Sequence, residues 1–289
     1  MAQLNITKSI LSISSPGTFL ITNDPAAARK LSRECNDFAA ELISRRPKQF
    51  GFWASLPLPD IDGSLEEIAY SLDKLKADGV TLHTNFHGIY LGDKTFDPIF
   101  NELNRRKAKV FIHPTTPCMS HGPTPAAPLP QYPSPMCEFL FDTARSVINL
   151  FISGTIARCP NITFIIPHAG GALPPIIERF TAFTSILPSP QELKLSSEVV
   201  RDTFGKQFYF DLAGMPFPDQ IHGLLRFVNS SRLLYGSDFP FTPGVVAGML
   251  AKKMDGESRK IWTEEEVNGV FSGNAGRMLA KTEGATLRL

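Results

Sequence analysis

Apolar runs of strand length alternate with longer amphipathic stretches along the whole chain. Most of these runs are rich in Val, Ile, Leu and Phe without strict alternation, which is typical of strands buried on both faces. Regular alternation of strands and helices predicts a parallel sheet, and therefore a protein of the α/β class. The seven predicted strands fall within Lys8–Ser14, Gly51–Pro57, Gly79–Asn85, Lys109–Thr115, Thr163–Gly170, Gln207–Gly214 and Arg232–Pro240.

The stretches between the runs carry signals of helix formation. Asp24-Pro25 predicts an N-cap followed by proline at the first helical position. Ser64, with Glu67 three residues later, has the pattern of a capping box and predicts that a second helix begins there. The predicted helices are Ala26–Arg46, Leu65–Ala77, Pro98–Arg106 and Phe139–Ala157.

Composition narrows the possible functions. The 289 residues carry a net charge of +1 without a notable block of Lys or Arg, which argues against a nucleic-acid partner or an anionic membrane surface. The four cysteines are widely spaced and form no C-x-x-C pair, so zinc-finger and thioredoxin-like functions have no support. The sequence shows neither a signal peptide nor an apolar run that could span a bilayer, and we expect a cytoplasmic protein.

One segment interrupts the regular pattern without dividing the chain. Residues 117–135 contain seven prolines and follow the predicted strand that ends near His113. A long loop in a compact domain is usually either a lid or a disordered stretch, and this position predicts a loop over the mouth of a barrel. We find no linker or internal repeat, so residues 1–289 are expected to form a single domain.

Three short strings place a histidine or an aspartate where a predicted strand ends. In a parallel barrel the carboxyl ends of the strands meet at one mouth, where such barrels carry their chemistry. We therefore expect His113, His168 and Asp238 to converge in an arrangement that suits a divalent metal ion. The strings are Phe111-Ile112-His113-Pro114, Pro167-His168-Ala169-Gly170-Gly171 and Gly236-Ser237-Asp238-Phe239-Pro240.

Together with Asn274-Ala275-Gly276-Arg277, these strings resemble the amidohydrolase-related family of metal-dependent decarboxylases and hydrolases. Within that family, the chain is most similar to the fungal 6-methylsalicylate decarboxylases of polyketide pathways. The resemblance covers nearly all of the chain and implies a TIM-like (β/α)8 barrel. Its supporting stretches are Phe50–Ser55, Ala77–Leu82 and Tyr90-Leu91-Gly92.

The resemblance also implies a catalytic centre with one divalent ion, zinc or manganese. His113 would be a metal ligand, Asp238 a ligand that also handles metal-bound water, and His168 the acid or base beside the substrate. The implied substrate is a small aromatic carboxylic acid such as 6-methylsalicylate, which the ion would orient through its carboxylate and hydroxyl. A proton delivered to the ring carbon would then allow CO2 to leave.

Four more residues are candidates for supporting roles. His83 and Asn85 lie at the end of the predicted strand Gly79–Asn85 and Tyr90 follows it. All three are expected to line the substrate pocket, although a structural role for His83 is an equally open alternative. Asp211 follows a strand of aromatic residues, and we interpret it either as a partner that orients a histidine or as a plain loop cap.

The N-terminal residues depart from the family pattern. Family members place two further ligands on the first strand, in an acidic-or-His, x, His motif, whereas residues 1–14 contain no His, Asp or Glu. Lys8–Ser14 matches the family's second strand, so we expect a barrel without its first strand, and loss of the metal ion is an open alternative. Unpaired edges at Lys8–Ser14 and Arg232–Pro240 would favour a homodimer that covers the gap, or rearrangement of the N-terminal residues into it.

This departure leaves three functional hypotheses. The first is a metal-dependent decarboxylase, and the second is a truncated or catalytically impaired homologue with a non-catalytic role. The third is a hydrolase of a lactone or amide, because one scaffold can support different reactions.

Overall fold

The computed structural model describes residues 1–117, 129, 131–186 and 195–280. Seven of its strands form one parallel sheet in the order β1-β2-β3-β6-β7-β8-β9, and β4 and β5 form a separate antiparallel hairpin. The strands are β1 (Ser9–Leu11), β2 (Phe50–Ser55), β3 (Gly79–His83), β4 (Asn85–Phe86), β5 (Ile89–Tyr90), β6 (Lys109–His113), β7 (Thr163–Ile166), β8 (Phe208–Asp211) and β9 (Leu233–Leu234).

The predicted parallel sheet is confirmed. Each of the predicted runs overlaps one strand of the sheet, although the strands are shorter than the runs and β2 begins one residue before its run. Within the described residues, the sheet is open between β1 and β9, because each of these strands pairs with a single neighbour. That the chain lacks the first strand of a closed barrel stays a prediction.

Helices follow most strands, as expected for an α/β protein. α1 begins as predicted, with Pro25 in its first turn and the Asp24 carboxylate accepting a hydrogen bond of 2.9 Å from the Ala27 N–H. None of the helices in the described part of the chain is long and apolar enough to cross a membrane. The helices are α1 (Pro25–Arg45), α2 (Ile61–Ala69), α3 (Asp97–Arg105), α4 (Glu138–Ile152), α5 (Thr155–Arg158), α6 (Ile177–Ile186), α7 (Ser197–Gln207), α8 (Gln220–Leu224), α9 (Gly244–Ser258), α10 (Glu264–Asn268) and α11 (Asn274–Leu279).

The predicted start of the second helix was wrong. α2 begins at Ile61, and Asp60 caps it by accepting a hydrogen bond of 3.1 Å from a backbone N–H of the first turn. Ser64 is buried and its hydroxyl has no hydrogen-bond partner. Glu67 instead accepts a hydrogen bond of 2.8 Å from Asn36 of α1. This contact between helices occupies the carboxylate that would accept a backbone N–H in a capping box.

The sheet separates two apolar layers. Side chains on its outer face, including those of Phe52, Leu82 and Phe164, pack against the surrounding helices in the main core. Side chains on its inner face form a second group, here called the inner cluster, which α11 joins through Met278. Alternation of side chains along each strand assigns neighbouring residues to opposite layers. The inner cluster consists of Trp53, Ile165, Leu234 and Met278, with Ile10, Phe111, Tyr209, Ala275 and Leu279 partly buried against it.

The N-terminal residues lie beside the helix that follows the last strand. A Cβ atom placed on Gly248 of α9 would lie 3.1 Å from Cδ2 of Leu4. The segment before β1 therefore contacts the part of the chain after β9, at the open side of the sheet. The homodimer expected to cover this side stays a prediction.

The proline-rich segment falls mostly outside the described residues. The predicted lid comprises residues 117–135, of which residues 118–128 and 130 are not described. Thr116, just before this segment, lies close to Ser134 near its end, since their hydroxyl oxygens are 3.4 Å apart.

Candidate active site

Three histidines and two aspartates lie at or just beyond the carboxyl ends of the sheet strands. His83 ends β3 and His113 ends β6, and the two are partners in the register of these neighbouring strands. Their ring centroids are 5.9 Å apart, with an angle of 62° between the ring planes. His168 follows β7, Asp211 ends β8 and Asp238 follows β9.

Electrostatic interactions link these groups across the mouth of the sheet. Burial raises the pKa of Asp211 and that of Asp238, and the proximity of His168 opposes both shifts. Burial lowers the pKa of His113, and the proximity of His168 adds to that shift. The structure therefore brings His113, His168 and Asp238 into one region, where the strings in the sequence led us to expect them. Their chemical roles stay predictions.

His83 is a buried, neutral imidazole with one free nitrogen. Burial, reinforced by the proximity of His113, lowers its pKa to about 3, while a hydrogen bond to the backbone of Ser14 opposes this shift. Its Nε2 atom is buried without a hydrogen-bond partner among the described residues. Gly17 covers the ring, because a Cβ at that position would lie 2.7 Å from Cε1 of His83.

His113 has a hydrogen bond that assigns its tautomer. Its Nδ1 lies 2.6 Å from the carbonyl oxygen of Pro114. A carbonyl oxygen can only accept, so Nδ1 carries the proton and Nε2 of the neutral ring keeps its lone pair. Burial lowers the pKa of His113 to about 4, an effect that the bond to Pro114 partly offsets.

His168 is held in an unusual backbone conformation. Its φ is 55°, in the left-handed region, and that of the following Ala169 is 52°. Two hydrogen bonds fix the main chain here: the His168 N–H donates to Asp211 at 3.1 Å, and its carbonyl accepts from Gln220 at 2.7 Å. The imidazole Nδ1 is buried and has no partner among the described residues. Residues held in sparsely populated conformations are common at functional sites.

The two aspartates lie on either side of β9 in sequence and have different hydrogen-bond partners. Burial raises the pKa of Asp211, while its bonds to the N–H groups of His168 and Ala213, at 3.1 and 3.0 Å, favour the ionised form. Asp211 therefore acts as a loop cap that also fixes the backbone, but not the ring, of His168. Burial also raises the pKa of Asp238, whose carboxylate lies 3.5 Å from the Thr242 hydroxyl.

Asn85 and Tyr90 direct their polar groups to a carboxylate that we did not anticipate from the sequence. Asp142 of α4 is fully buried and accepts from Asn85 Nδ2 at 2.9 Å, from the Tyr90 hydroxyl and from the Thr84 hydroxyl. The pKa of Tyr90 is raised, chiefly by burial and then by this bond. The signal in the sequence that could have identified Asp142 was its position: it lies eight residues before Leu150, and both belong to the buried face of α4.

The donors at the mouth fit a divalent cation only in part. The free Nε2 of His113 and the half-buried carboxylate of Asp238 are suitable ligands for zinc or manganese. Catalytic zinc sites usually have three protein ligands. The described ranges contain no group of three or more His, Cys, Asp or Glu residues arranged to hold a metal ion.

An open parallel sheet with histidines and aspartates at the carboxyl ends of its strands defines a barrel-type α/β protein with its site at the mouth. Residues 14–281 match the family described as amidohydrolase, and the chain belongs to that family. The resemblance predicted from the motifs and the barrel fold class are therefore confirmed.

Individual relatives refine this placement. A 6-methylsalicylic acid decarboxylase from Aspergillus aculeatus is 42% identical over 245 residues, which cover 84% of this chain and 72% of that protein. The crystal structure of an amidohydrolase II is 32% identical, with a TM-score of 0.85 and coverage of 96% of this chain and 86% of that one. A dihydroxybenzoic acid decarboxylase from Polaromonas sp. JS666, with bound manganese and 2-nitroresorcinol, has a TM-score of 0.80 over 96% of this chain and 83% of its own. At 21% identity, that third likeness concerns the fold alone. The chain thus resembles carboxy-lyases.

Proposed function

We propose that this protein is a decarboxylase of a small aromatic acid such as 6-methylsalicylate, acting with a divalent cation in polyketide secondary metabolism. The observation that carries the proposal is the half-buried His168 imidazole, whose Nδ1 has no partner among the described residues and which interacts electrostatically with two carboxylates. The likeness to the decarboxylase from Aspergillus aculeatus supports it.

The reaction replaces a carboxylate on an aromatic ring by a proton. A proton forms a bond to the ring carbon, the bond between that carbon and the carboxylate breaks, and CO2 leaves. His168 is suited to deliver the proton, because its imidazole lies close to the Asp211 and Asp238 carboxylates and keeps an Nδ1 atom that has no partner among the described residues. The hydrogen bonds of its backbone N–H and carbonyl hold the main chain of His168 in place.

A divalent cation, when bound, supplies Lewis-acid binding of the substrate's carboxylate and hydroxyl groups. His113 and Asp238 are the residues that would help to hold it. Asn85 and Tyr90 contribute to the pocket mainly through its shape, because their polar groups are already bonded to Asp142. His83 keeps a free nitrogen for a polar contact.

A second candidate is a non-catalytic homologue. It is favoured by the finding that no group of three metal-ligating residues is arranged around one point in the described part of the chain. This candidate predicts a protein that binds its cation weakly and releases no CO2.

The experiment is to incubate the purified chain with 6-methylsalicylate and either Zn2+ or Mn2+ in D2O. Proton NMR should show conversion to 3-methylphenol with deuterium at the former carboxyl-bearing carbon, together with release of CO2. His168→Gln should abolish turnover. His222→Gln, at an exposed position of α8, should retain it. Absence of product with either metal would contradict the proposal and favour the non-catalytic candidate.

A further inference from the structure

The inner face of β2 and β3 carries three buried polar atoms that have no hydrogen-bond partner among the described residues. They are Oγ of Ser55, Oγ1 of Thr81 and Nε2 of His83, on residues that are 3, 3 and 5% exposed. Ser55 and Thr81 are register partners, and His83 follows Thr81 by two residues, so all three share one face of the sheet. Ser55 also follows Trp53 of the inner cluster by two residues, which makes this face the inner one. Buried polar atoms in native proteins are normally paired, so this group indicates a polar occupant.

The protonation of His83 determines which kind of group can pair with it. Its hydrogen bond to the backbone of Ser14 favours the protonated ring, so the ring donates this bond through an N–H. Nε2 has no partner, and the N–H is therefore that of Nδ1. Burial lowers the pKa of His83 to about 3, so the ring is uncharged at pH 7 and Nε2 keeps its lone pair. A lone pair needs a donor, which an ionised carboxylate lacks and a hydroxyl has.

The row of inner-face residues that contains Ser55 and Thr81 has a polar side and an apolar side. The strand register continues this row to Phe111 of β6 and Ile165 of β7. Both of these residues belong to the apolar inner cluster. An aromatic ring with a hydroxyl on one edge and an apolar opposite edge matches this division, with the hydroxyl facing β2 and β3.

We propose that His83, Thr81 and Ser55 form a subsite for a phenolic hydroxyl of the substrate. Nε2 of His83 accepts the hydroxyl hydrogen, and the Thr81 and Ser55 hydroxyls donate to the hydroxyl oxygen. This inference rests on the proposed function and narrows its substrates to aromatic acids that carry a hydroxyl. A ring without that donor leaves the three polar atoms buried and unpaired, and is rejected for that reason.

The test compares two ligands that differ at the hydroxyl. They are 3-methylphenol, the product expected from 6-methylsalicylate, and 3-fluorotoluene, which has a similar shape but no hydrogen-bond donor. Neither ligand has a carboxylate, so neither is turned over. Their dissociation constants are measured by ligand-observed NMR titration of the wild-type chain, Thr81→Val and His83→Phe. The ratio of the two constants is the readout, because the difference in hydration of the ligands is the same for every variant.

Both substitutions should shift this ratio toward 3-fluorotoluene by at least about fivefold relative to the wild-type chain. Thr203→Val is the control, because the Thr203 hydroxyl is bonded to the Val199 carbonyl within α7, and it should leave the ratio unchanged. An unchanged ratio in either Thr81→Val or His83→Phe would overturn the inference and indicate that the unpaired atoms hold internal water only.

A second measurement does not depend on the folding of a variant. The chain contains six histidines, and 15N labelling of their imidazoles allows the Nε2 signal of His83 to be assigned from the backbone resonances. This signal should shift when 3-methylphenol is added to the wild-type chain and should stay in place with 3-fluorotoluene. Equal shifts with both ligands, or a shift with neither, would overturn the inference.

Failure of this inference can be told apart from failure of the proposed function. Selective binding of 3-methylphenol without CO2 release from 6-methylsalicylate would refute decarboxylation and leave the hydroxyl subsite standing. CO2 release accompanied by an unchanged ratio in Thr81→Val and His83→Phe would do the reverse.

Discussion

Replacing Asp142 by alanine should remove the shared acceptor of three hydrogen-bond donors near the mouth of the sheet. Thr84, Asn85 and Tyr90 all donate to this carboxylate, and Thr84 and Asn85 are themselves buried. Each buried donor left without a partner costs about 1–3 kcal/mol. Removing the desolvated charge returns part of that sum, so we expect a net loss of about 4 kcal/mol in the free energy of unfolding.

Urea unfolding followed by circular dichroism measures this loss. Asp202→Ala is a matched control, because Asp202 is an exposed helical carboxylate paired with Lys206 at 2.7 Å. That variant should lose less than about 1 kcal/mol. A loss of similar size in both variants would refute the reasoning from burial.

Tyr90→Phe separates a structural role from substrate binding. The variant loses one of the three hydrogen bonds to Asp142, and should be less stable by about 1–2 kcal/mol. Because the hydroxyl is already bonded to the carboxylate, KM for 6-methylsalicylate should change little. A large rise in KM at unchanged stability would instead place the Tyr90 hydroxyl on the substrate.

Three further perturbations test other parts of the structure. Gly17→Ala should lower the melting temperature, because Gly17 has a φ of 83° and the new Cβ would lie 2.7 Å from His83. Gly256→Ala in α9 is the control: its Cβ would meet no atom within 4 Å, so the melting temperature should not fall. Asp24→Ala should cost about 1 kcal/mol in urea unfolding through loss of the α1 cap, and an unchanged midpoint would argue against that cap. The pKa of His113 in the folded chain is about 4, below its ordinary value of 6.5. Between pH 4 and pH 6.5, therefore, the imidazole binds a proton only in the unfolded chain. Stability of the metal-free chain should therefore fall by up to about 3 kcal/mol on acidification through this range, and His113→Asn should flatten the slope.

The apolar runs predicted the strands well, because a strand that is buried on both faces has apolar residues at consecutive positions. Tyr209 and Phe210 are adjacent in one such run, yet one lies against the inner cluster and the other in the main core. A parallel strand needs apolar residues for both layers, so the run is recognisable without knowledge of its neighbours. Strand ends were less accurate, because they depend on where pairing stops.

Features that depend on contacts between distant segments were not predictable in the same way. The pattern of Ser64 and Glu67 is local, but the partner that occupies the Glu67 carboxylate comes from α1. The importance of Asp142 arises from donors more than fifty residues earlier in the chain. The unpaired hydroxyls of Ser55 and Thr81 became apparent only when the register placed them side by side on the inner face.

The open side of the sheet has a mechanical consequence. β1 and β9 each have one neighbouring strand within the described residues, and Leu4 meets Gly248 across the space between the two ends. Side-chain contact there can loosen without breaking any ladder of backbone hydrogen bonds. Local opening of the protein should therefore begin between β1 and β9. The backbone pairing of the strands from β2 to β8 should stay intact during that opening.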